Sequence, residues 1–239
     1  MMKAIVLTGA TGGLGQSLAE ILADEADTQL ICLYRNPSKF DRLFREYKGC
    51  FMGYHVREDD SFEELTEHLN SDGLDQVILV LNAFSIVPIK RVGDFLPEEV
   101  EAFIHGNLTG NILLLNRIIG HCKRHAMRLR VIHIDSGAAD RPLTGWSNYC
   151  AGKAYMNAFL SVVSAENPAF EIVSFDPGIM DTGMQAEIRA VKSEVFDQVD
   201  AFIGYKEENK LRAPSVVAKQ IKERYITQWT AGRFREKIV

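Results

Sequence analysis

The chain has 239 residues, of which 46% are hydrophobic and 25% are charged, so it contains enough apolar residues to bury the core of a globular domain. Its formal net charge of -5 at pH 7 offers no basic surface of the kind that nucleic acids or anionic lipids select. No apolar run approaches the roughly 18 to 20 uncharged residues that a membrane span requires. We therefore expect neither a nucleic-acid partner nor a membrane partner.

The cysteines and the N-terminal residues indicate the compartment. The chain begins directly with an apolar strand pattern, without the ordered charged, apolar and small-residue segments of a signal peptide. Cys32, Cys50, Cys122 and Cys150 are too far apart for a zinc site or a dense disulfide scaffold. These features predict a cytoplasmic protein with reduced thiols and no metal site.

Short apolar segments alternate with segments of helical periodicity along the chain. The apolar segments mostly lack alternation, as in strands that are covered on both faces, and lie at residues 4–7, 29–33, 77–81, 130–134 and 171–175, with a further strand expected at 49–56. Apolar residues recur every three or four positions in the intervening segments, at residues 14–23, 39–47, 62–69, 97–119 and 148–165.

This alternation predicts the fold class. Parallel strands need right-handed crossover connections, so the pattern favours a three-layer α/β structure, a doubly wound parallel sheet of the Rossmann type. No linker-like segment or internal repeat divides the chain, and we expect a single domain over residues 1–239. In such folds a ligand binds outside the carboxyl ends of the strands.

A glycine-rich turn follows the first strand, with the sequence Thr8-Gly9-Ala10-Thr11-Gly12-Gly13-Leu14-Gly15. A strand-to-helix turn of this kind lets a pyrophosphate approach bare backbone and the positive end of a helix. The alternative is a tight turn in which the glycines only satisfy backbone geometry. The position at the first strand-to-helix junction favours a nucleotide site.

The end of the second strand indicates which nucleotide is bound. An acidic residue there bonds the ribose 2′-hydroxyl of NAD, whereas an arginine accommodates the 2′-phosphate of NADP. This chain has Arg35-Asn36 at that point and no acidic residue beside them, which favours NADPH. A solvated surface arginine without a ligand is the alternative.

Three side chains match what carbonyl reduction requires. The reaction needs a proton donor, a cation that eases ionisation of the donor, and a polar group that orients the carbonyl oxygen. Tyr149 and Lys153 are four residues apart in a predicted helix, so both lie on one face, and Ser136 follows the predicted strand at 130–134. A tyrosine and a lysine also meet at this spacing by chance, so the pair alone is weak evidence.

Together these motifs resemble the short-chain dehydrogenase/reductase family. The turn matches the family's TGxxxGxG pattern, Tyr149 to Lys153 match YxxxK, Leu81-Asn82-Ala83 resembles the NAG segment, and residues 177–182 resemble PGxxxT. Phe84 replaces the NAG glycine, and Asp135 replaces a serine before Ser136. His55 stands about where the family has an acidic residue that contacts the adenine, and the alternative is a strand-end histidine with no ligand.

The resemblance implies roles for individual residues. Tyr149 would be the acid, Ser136 would position the carbonyl, Lys153 would bind the ribose and lower the tyrosine pKa, and Asn107 would hold a water in the proton relay. The implied NADP(H)-binding residues are Gly9, Thr11, Gly12, Gly13, Leu14, Gly15, Arg35, Asn36, Asn82, Ala83, Tyr149, Lys153, Pro177, Gly178, Ile179 and Thr182.

Within the family, residues 177–185 and 207–211 are similar to sepiapterin reductases and benzil reductases. This similarity implies an NADPH-dependent carbonyl reductase acting on an aromatic or 1,2-dicarbonyl ketone such as benzil, with a pterin side-chain carbonyl as the alternative. Residues 180–212 would form a helical flap over the substrate. Trp146, Met180 and Met184 are candidate substrate contacts or core residues, and Glu236 is a candidate pterin anchor.

Two other function classes agree less well with the sequence. An epimerase or dehydratase of the related extended fold usually needs a longer chain. An NADP-binding redox sensor that acts through a protein partner is disfavoured because Asn107, Ser136, Tyr149 and Lys153 are all present. By resemblance we also expect a homodimer or homotetramer, in which the helices predicted at 97–119 and 148–165 pair across a two-fold axis.

Overall fold

A computed structural model describes residues 2–46, 51–55, 62–71 and 73–237 of the chain. Within these ranges a seven-stranded parallel sheet has the order β3-β2-β1-β4-β5-β6-β7. The strands are β1 Met2–Thr8, β2 Thr28–Tyr34, β3 Phe51–His55, β4 Leu74–Leu81, β5 Arg128–Ile134, β6 Glu171–Asp176 and β7 Arg235–Lys237. The helices are α1 Gly13–Leu22, α2 Pro37–Glu46, α3 Glu63–His68, α4 Pro97–Ile104, α5 Gly110–Arg124, α6 Ser147–Glu166, α7 Gly183–Arg189, α8 Val199–Glu207 and α9 Pro214–Ile221.

The central strands bury both of their faces. In β1, Ile5 and Leu7 pack on one side of the sheet against a cluster that includes residues of α1 and α9. Ala4 and Val6 pack on the other side against residues of α5 and α6. Strands covered on both faces explain the continuous apolar segments of the sequence, and the predicted single α/β domain with a doubly wound parallel sheet is confirmed.

The chain leaves β1 toward β2 on one side and pairs with β4 on the other, so the strand order reverses next to β1. At such a point the two connections separate beyond the carboxyl ends of the strands and leave a crevice. The glycine-rich turn after β1 and the segments after β4, β5 and β6 therefore lie around the same opening.

Two parts of the structure differ from the sequence-based expectation. The single helix predicted at 97–119 is instead α4 and α5 separated by a π-helical turn at His105–Thr109, and α5 continues to Arg124. β7 and α9 are further elements that the sequence patterns do not predict. β7 has only three residues and all of them are charged, so it carries no apolar pattern.

Among the described residues, no helix is both long enough and apolar enough to cross a bilayer. The same part of the chain contains no group of three side chains suited to hold a metal ion. Cys32, Cys122 and Cys150 are free thiols, and Cys50 lies outside the described residues.

Phe175 of β6 offers a test of the packing between the sheet and the π-helical turn Lys222–Thr227 that follows α9. Its side chain is fully buried, and its ring lies 5.5 Å from that of Tyr225, centroid to centroid. We expect Phe175→Ala to lower the free energy of unfolding by about 3 to 5 kcal/mol because it leaves a cavity. Val92→Ala, at a position that is 81% exposed, should change it by less than about 0.5 kcal/mol. Urea denaturation measures both, and equal losses would contradict this assignment of the core.

Candidate active site

The glycine-rich turn has the close backbone packing that a phosphate-binding turn needs. Gly9 and Gly13 have φ angles of +69° and +53°, which side-chain-bearing residues rarely adopt. A Cβ atom at Gly15 would lie 2.1 Å from the carbonyl oxygen of Gly9, so only glycine allows α1 to approach β1 this closely. A Cβ atom at Gly12 would meet nothing within 4 Å, because this glycine faces open space.

The start of α1 is suited to an anionic group. No side chain caps its N-terminus, and its first turn contains no acidic residue. The backbone N–H groups of that turn and the helix dipole are therefore available to a pyrophosphate. Arg35, Asn36 and Lys39 line the same cavity beyond β2, and Arg35 is exposed and forms no ion pair with any described residue.

Asn82 and Thr8 fix the turn against the end of β4. The Asn82 Nδ2 group donates to the carbonyl oxygens of Thr8 and Gly9, at 3.0 and 3.3 Å. The Thr8 hydroxyl accepts from the backbone N–H groups of Asn82 and Ala83, at 2.9 Å each. Asn82 thus orders the dinucleotide turn, and its position beside the cavity agrees with the predicted cofactor site.

Ser136, Tyr149 and Lys153 come together at the carboxyl end of β5. All three line one cavity of about 720 Å³ that also contains the glycine-rich turn. The Lys153 ammonium donates to the carbonyl oxygen of Ile134 at 2.6 Å. Its Nζ also lies 4.0 Å from the ring centroid of Phe84, and that ring packs edge-on against Tyr149. Phe84, which stands where the family pattern has a glycine, therefore contacts two candidate catalytic side chains, those of Lys153 and Tyr149.

Burial has the largest effect on the pKa values of Tyr149 and Lys153. It raises the pKa of Tyr149 above the ordinary value, a hydrogen bond with Ser136 lowers it, and the charges of Asp135 and Asp176 raise it. Burial lowers the pKa of Lys153 to about 7, and the same two carboxylates act to raise it. The protein's own groups thus raise the pKa of Tyr149, so that its hydroxyl carries the proton that a proton donor requires, and the lowering of this pKa by Lys153 stays a prediction.

Asn107 is buried in the π-helical turn between α4 and α5 and does not line the cavity. Its side chain binds the loop after β4, since Oδ1 accepts from the backbone N–H of Ser85 at 2.7 Å and Nδ2 donates to its carbonyl at 3.2 Å. Its own carbonyl oxygen accepts from Nδ2 of Asn111 at 2.7 Å. The side chain of Asn107 therefore acts on the loop that carries Phe84.

Several aromatic and apolar side chains line the cavity beside the candidate catalytic residues. Trp146, Met180 and Met184 line it, together with Leu143, Ile188, Phe202 and Tyr205. Trp146 is also a core residue, because it is 5% exposed and its ring stacks on that of Phe196 at 4.8 Å. Trp146 therefore packs in the core, and its contact with a substrate stays a prediction. Residues of α7 and α8 contribute to the wall, which is where the flap was expected.

Of the remaining predicted cofactor residues, Gly9, Thr11, Gly13, Leu14, Ala83, Pro177, Gly178, Ile179 and Thr182 also line the cavity. Gly15 does not, because its role is the close packing of α1 on the turn.

Glu236 lies away from the cavity. Its carboxylate accepts from the Tyr225 hydroxyl at 2.5 Å, from Arg224 at 2.6 Å and from the backbone N–H of Gly232 at 2.7 Å. Burial raises the pKa of Glu236, but these hydrogen bonds outweigh it and bring the pKa below the ordinary value. The structure does not bring Glu236 to the substrate, because it occupies the face of β7 that packs on Tyr225.

Sequence reasoning missed the charged residues around Ser136. Asp135 is buried and paired with Arg235 of β7, with 2.7 Å between Oδ2 and Nε. Asp176, at the end of β6, lies 3.6 Å from the ammonium of Lys237. The only sequence signal was an aspartate directly before Ser136, and its partner is 100 residues away.

Comparison with known proteins agrees with this geometry. Residues 3–193 match the family described as short chain dehydrogenase. A benzil reductase ((S)-benzoin forming) of Bacillus cereus is 32% identical over 231 residues, which cover 92% of this chain and 93% of the relative. A sepiapterin reductase of Bos taurus is 31% identical over 196 residues, which cover 75% of this chain and 73% of the relative.

A solved structure gives the same result for the fold. The crystal structure of the KRED1-Pglu enzyme superimposes with a TM-score of 0.85 and 25% identity, covering 98% of this chain and 100% of that chain. The family match, the relatives and the arrangement of Ser136, Tyr149 and Lys153 agree. This chain belongs to the short-chain dehydrogenase/reductase family and is an oxidoreductase.

Proposed function

We propose that this protein is an NADPH-dependent carbonyl reductase that acts on an aromatic or 1,2-dicarbonyl ketone of the benzil type. One observation carries the proposal: the dinucleotide turn, the Ser136, Tyr149 and Lys153 side chains and an aromatic wall all line a single cavity. Similarity to a benzil reductase over most of both chains supports the same reaction class.

The residues present fit a bound NADP(H). The uncapped start of α1 and the open side of Gly12 suit the pyrophosphate, and Arg35 is available for a 2′-phosphate. Residues 177–179 and Thr182 line the cavity next to Tyr149 and are candidates to contact the nicotinamide. When bound, NADPH supplies the hydride ion that adds to the carbonyl carbon.

The protein's own groups complete the reaction at the carbonyl oxygen. The Ser136 hydroxyl orients that oxygen toward Tyr149, and the Tyr149 hydroxyl donates its proton to it as negative charge develops. The Lys153 side chain, held by Ile134 and Phe84, has its Nζ 5.9 Å from the ring centroid of Tyr149 and would bind the ribose of the cofactor. A buried tyrosine of raised pKa begins this sequence in the protonated form that the step requires.

The composition of the wall favours a flat, apolar substrate. Trp146, Phe202 and Tyr205 offer ring surfaces, and Met180 and Met184 adapt to irregular shapes. A pterin side-chain carbonyl is the second candidate, supported by the sepiapterin reductase relative. Benzil-type diketones are preferred because Glu236, the candidate pterin anchor, is bound to Tyr225 and Arg224 instead. In this proposal α7 and α8 act as the flap over the substrate.

Exposed apolar side chains support the expected oligomer. Leu113 of α5 and Tyr155 and Val162 of α6 are 50%, 46% and 57% exposed. Large apolar residues on adjacent helices suit an isologous contact across a two-fold axis. We infer a homodimer that uses these helices.

Oxidation of NADPH in the presence of benzil, sepiapterin or a simple aliphatic ketone tests the reaction. We expect benzil to be consumed fastest, and we expect Tyr149→Phe to lower kcat by about a hundredfold or more because the proton donor is lost. NADPH binding, followed by its fluorescence, should be retained by the variant.

Consumption of sepiapterin in place of benzil would favour the pterin alternative. Tight NADPH binding without turnover of any carbonyl would contradict the reductase and favour a sensor that acts through a partner.

Removal of the Arg35 guanidinium tests the cofactor preference. A charge-assisted contact to the 2′-phosphate contributes about 1.5 to 3 kcal/mol. We therefore expect Arg35→Ala to reduce the ratio of NADPH to NADH affinity by about 10- to 100-fold, as measured by fluorescence titration. Arg42→Ala removes an equal charge from α2 outside the cavity and should leave the ratio unchanged. An unchanged ratio of NADPH to NADH affinity in Arg35→Ala would show that Arg35 does not select NADP.

The glycine-rich turn allows a paired test of cofactor binding. Gly15→Ala places a methyl group against the Gly9 carbonyl and should weaken NADPH binding by at least about tenfold, because the turn must shift. Gly12→Ala adds its methyl group to open space and should retain the fold, so its thermal unfolding should match that of the wild type. Calorimetric titration and thermal scans compare the two. Unimpaired binding by Gly15→Ala would contradict the proposed packing.

A further inference from the structure

Asp135 immediately precedes Ser136, and its carboxylate is completely buried. A buried carboxylate is costly unless hydrogen bonds and an opposite charge compensate it. Two elements provide this compensation. Nδ2 of Asn157 lies 3.0 Å from both carboxylate oxygens, and Nε of Arg235 lies 2.7 Å from Oδ2. The backbone N–H of Asp135 donates to Phe175 of β6 at 2.8 Å.

The partner on α6 relates this carboxylate to the catalytic face of the helix. Tyr149, Lys153 and Asn157 are spaced four residues apart, so they lie along one face of α6. The bond between Asn157 and Asp135 therefore sets the position of that face relative to the end of β5. The same strand end carries the Ile134 carbonyl that binds Lys153.

Hydrogen bonds that run from His133 through Ser174 hold Asn157 in place. Oδ1 of Asn157 accepts from the Ser174 hydroxyl at 2.5 Å. That hydroxyl lies 3.0 Å from Nδ1 of His133, a buried imidazole. Burial lowers the pKa of His133, which favours a neutral ring. Because the Ser174 hydroxyl donates its hydrogen to Asn157, Nδ1 of His133 is the donor to Ser174. With its Oδ1 occupied by Ser174, the amide of Asn157 directs Nδ2 at Asp135.

The partner on β7 supplies the opposite charge. Arg235 spans two carboxylates, the buried Asp135 and the exposed Asp140, with 2.7 Å from Nη1 to Oδ1 of Asp140. Without the guanidinium, the charge of Asp135 would act on Tyr149 and Lys153 unopposed at short range. Asp140 is 61% exposed, so water screens its charge.

We propose that Asp135 and Arg235 are positioning residues for the reaction: their buried ion pair locks the end of β5 to α6 and β7 and sets the charge that Tyr149 and Lys153 experience. The inference rests on the proposed function of Tyr149 as the proton donor. It makes the proton transfer from Tyr149 depend on β7, a strand of three residues near the C-terminal end.

Several charged or titratable groups surround this pair, and each contributes to the local potential. They are His133 of β5, Tyr149, Cys150 and Lys153 of α6, Asp176 of β6, Lys237 of β7, and Asp140 and Arg141 at the 3₁₀ turn that follows Ser136. A test must therefore change the charge of Asp135 or Arg235 without changing the others.

Two substitutions do this in opposite directions, and the first of them is nearly isosteric. Asp135→Asn removes a negative charge that raises the pKa of Tyr149 and Lys153, so both pKa values should fall. Because reduction needs protonated Tyr149, the alkaline limb of the kcat/KM profile should move to lower pH by at least about half a unit. Arg235→Gln leaves the carboxylate unopposed and should move that limb to higher pH. The double variant should return it toward the wild-type position.

Asp140→Asn is the matched control. It removes the exposed carboxylate that binds the same arginine, so the pH profile should stay in place. Thermal scans separate stability from positioning, and we expect Arg235→Gln to unfold at a lower temperature because it leaves a buried charge without its partner.

A second readout needs no substrate. The tyrosinate absorbance of the NADP⁺ complex, from which that of Tyr149→Phe is subtracted, follows the ionisation of Tyr149 directly. Its midpoint should be lower in Asp135→Asn than in the wild type. This titration decides the inference even if no ketone is reduced, so failure of the proposed function remains distinguishable.

An unchanged midpoint and an unchanged pH profile in Asp135→Asn and Arg235→Gln, with only the unfolding temperature lowered, would overturn the proposal. An equal shift in Asp140→Asn would also overturn it, because the effect would then be one of general surface charge.

Discussion

The buried ammonium group of Lys153 constrains the arrangement of the whole site. An isolated charge in this position is costly, and burial lowers the pKa of Lys153 to about 7 even though the carboxylates of Asp135 and Asp176 act to raise it. The Ile134 carbonyl and the ring face of Phe84 contact it directly, and the carboxylates of Asp135 and Asp176 favour its charged form from slightly further away. The acidic residues of the cleft therefore offset part of the cost of placing a cation where burial disfavours it.

Those acidic residues create a second requirement. Asp135 and Asp176 also raise the pKa of Tyr149, which keeps the proton donor protonated but makes its ionisation harder. Arg235 and Lys237 lie against the two carboxylates and limit their influence. The alternating charges thus favour the ammonium of Lys153 without an excess of negative charge beside Tyr149. Both cations come from β7, which makes the C-terminal strand part of the electrostatics of the site.

The sequence predicted the local features and missed the long-range ones. Short-range spacing specifies the glycine-rich turn and the meeting of Tyr149 with Lys153, so both could be recognised from a few consecutive residues. The β7 strand could not, because three charged residues carry no apolar pattern and the strand forms only by pairing with β6. Glu236 shows why the side-chain directions in β7 could not be predicted either. Side chains alternate along a strand, so Arg235 and Lys237 face the cleft, whereas Glu236 faces Tyr225.

Two departures from the family pattern, Phe84 and Asp135, can be understood together. Phe84 replaces a glycine and covers the Lys153 ammonium, and its ring tip would lie 2.9 Å from a Cβ atom at Gly152, so the ring fits only because that position has no side chain. Asp135 replaces a serine and requires Arg235. Phe84 and Asp135 therefore each depend on a residue elsewhere in the chain. A family pattern read one position at a time would score them as defects, whereas the contacts of Lys153 make them parts of one balanced arrangement of charge.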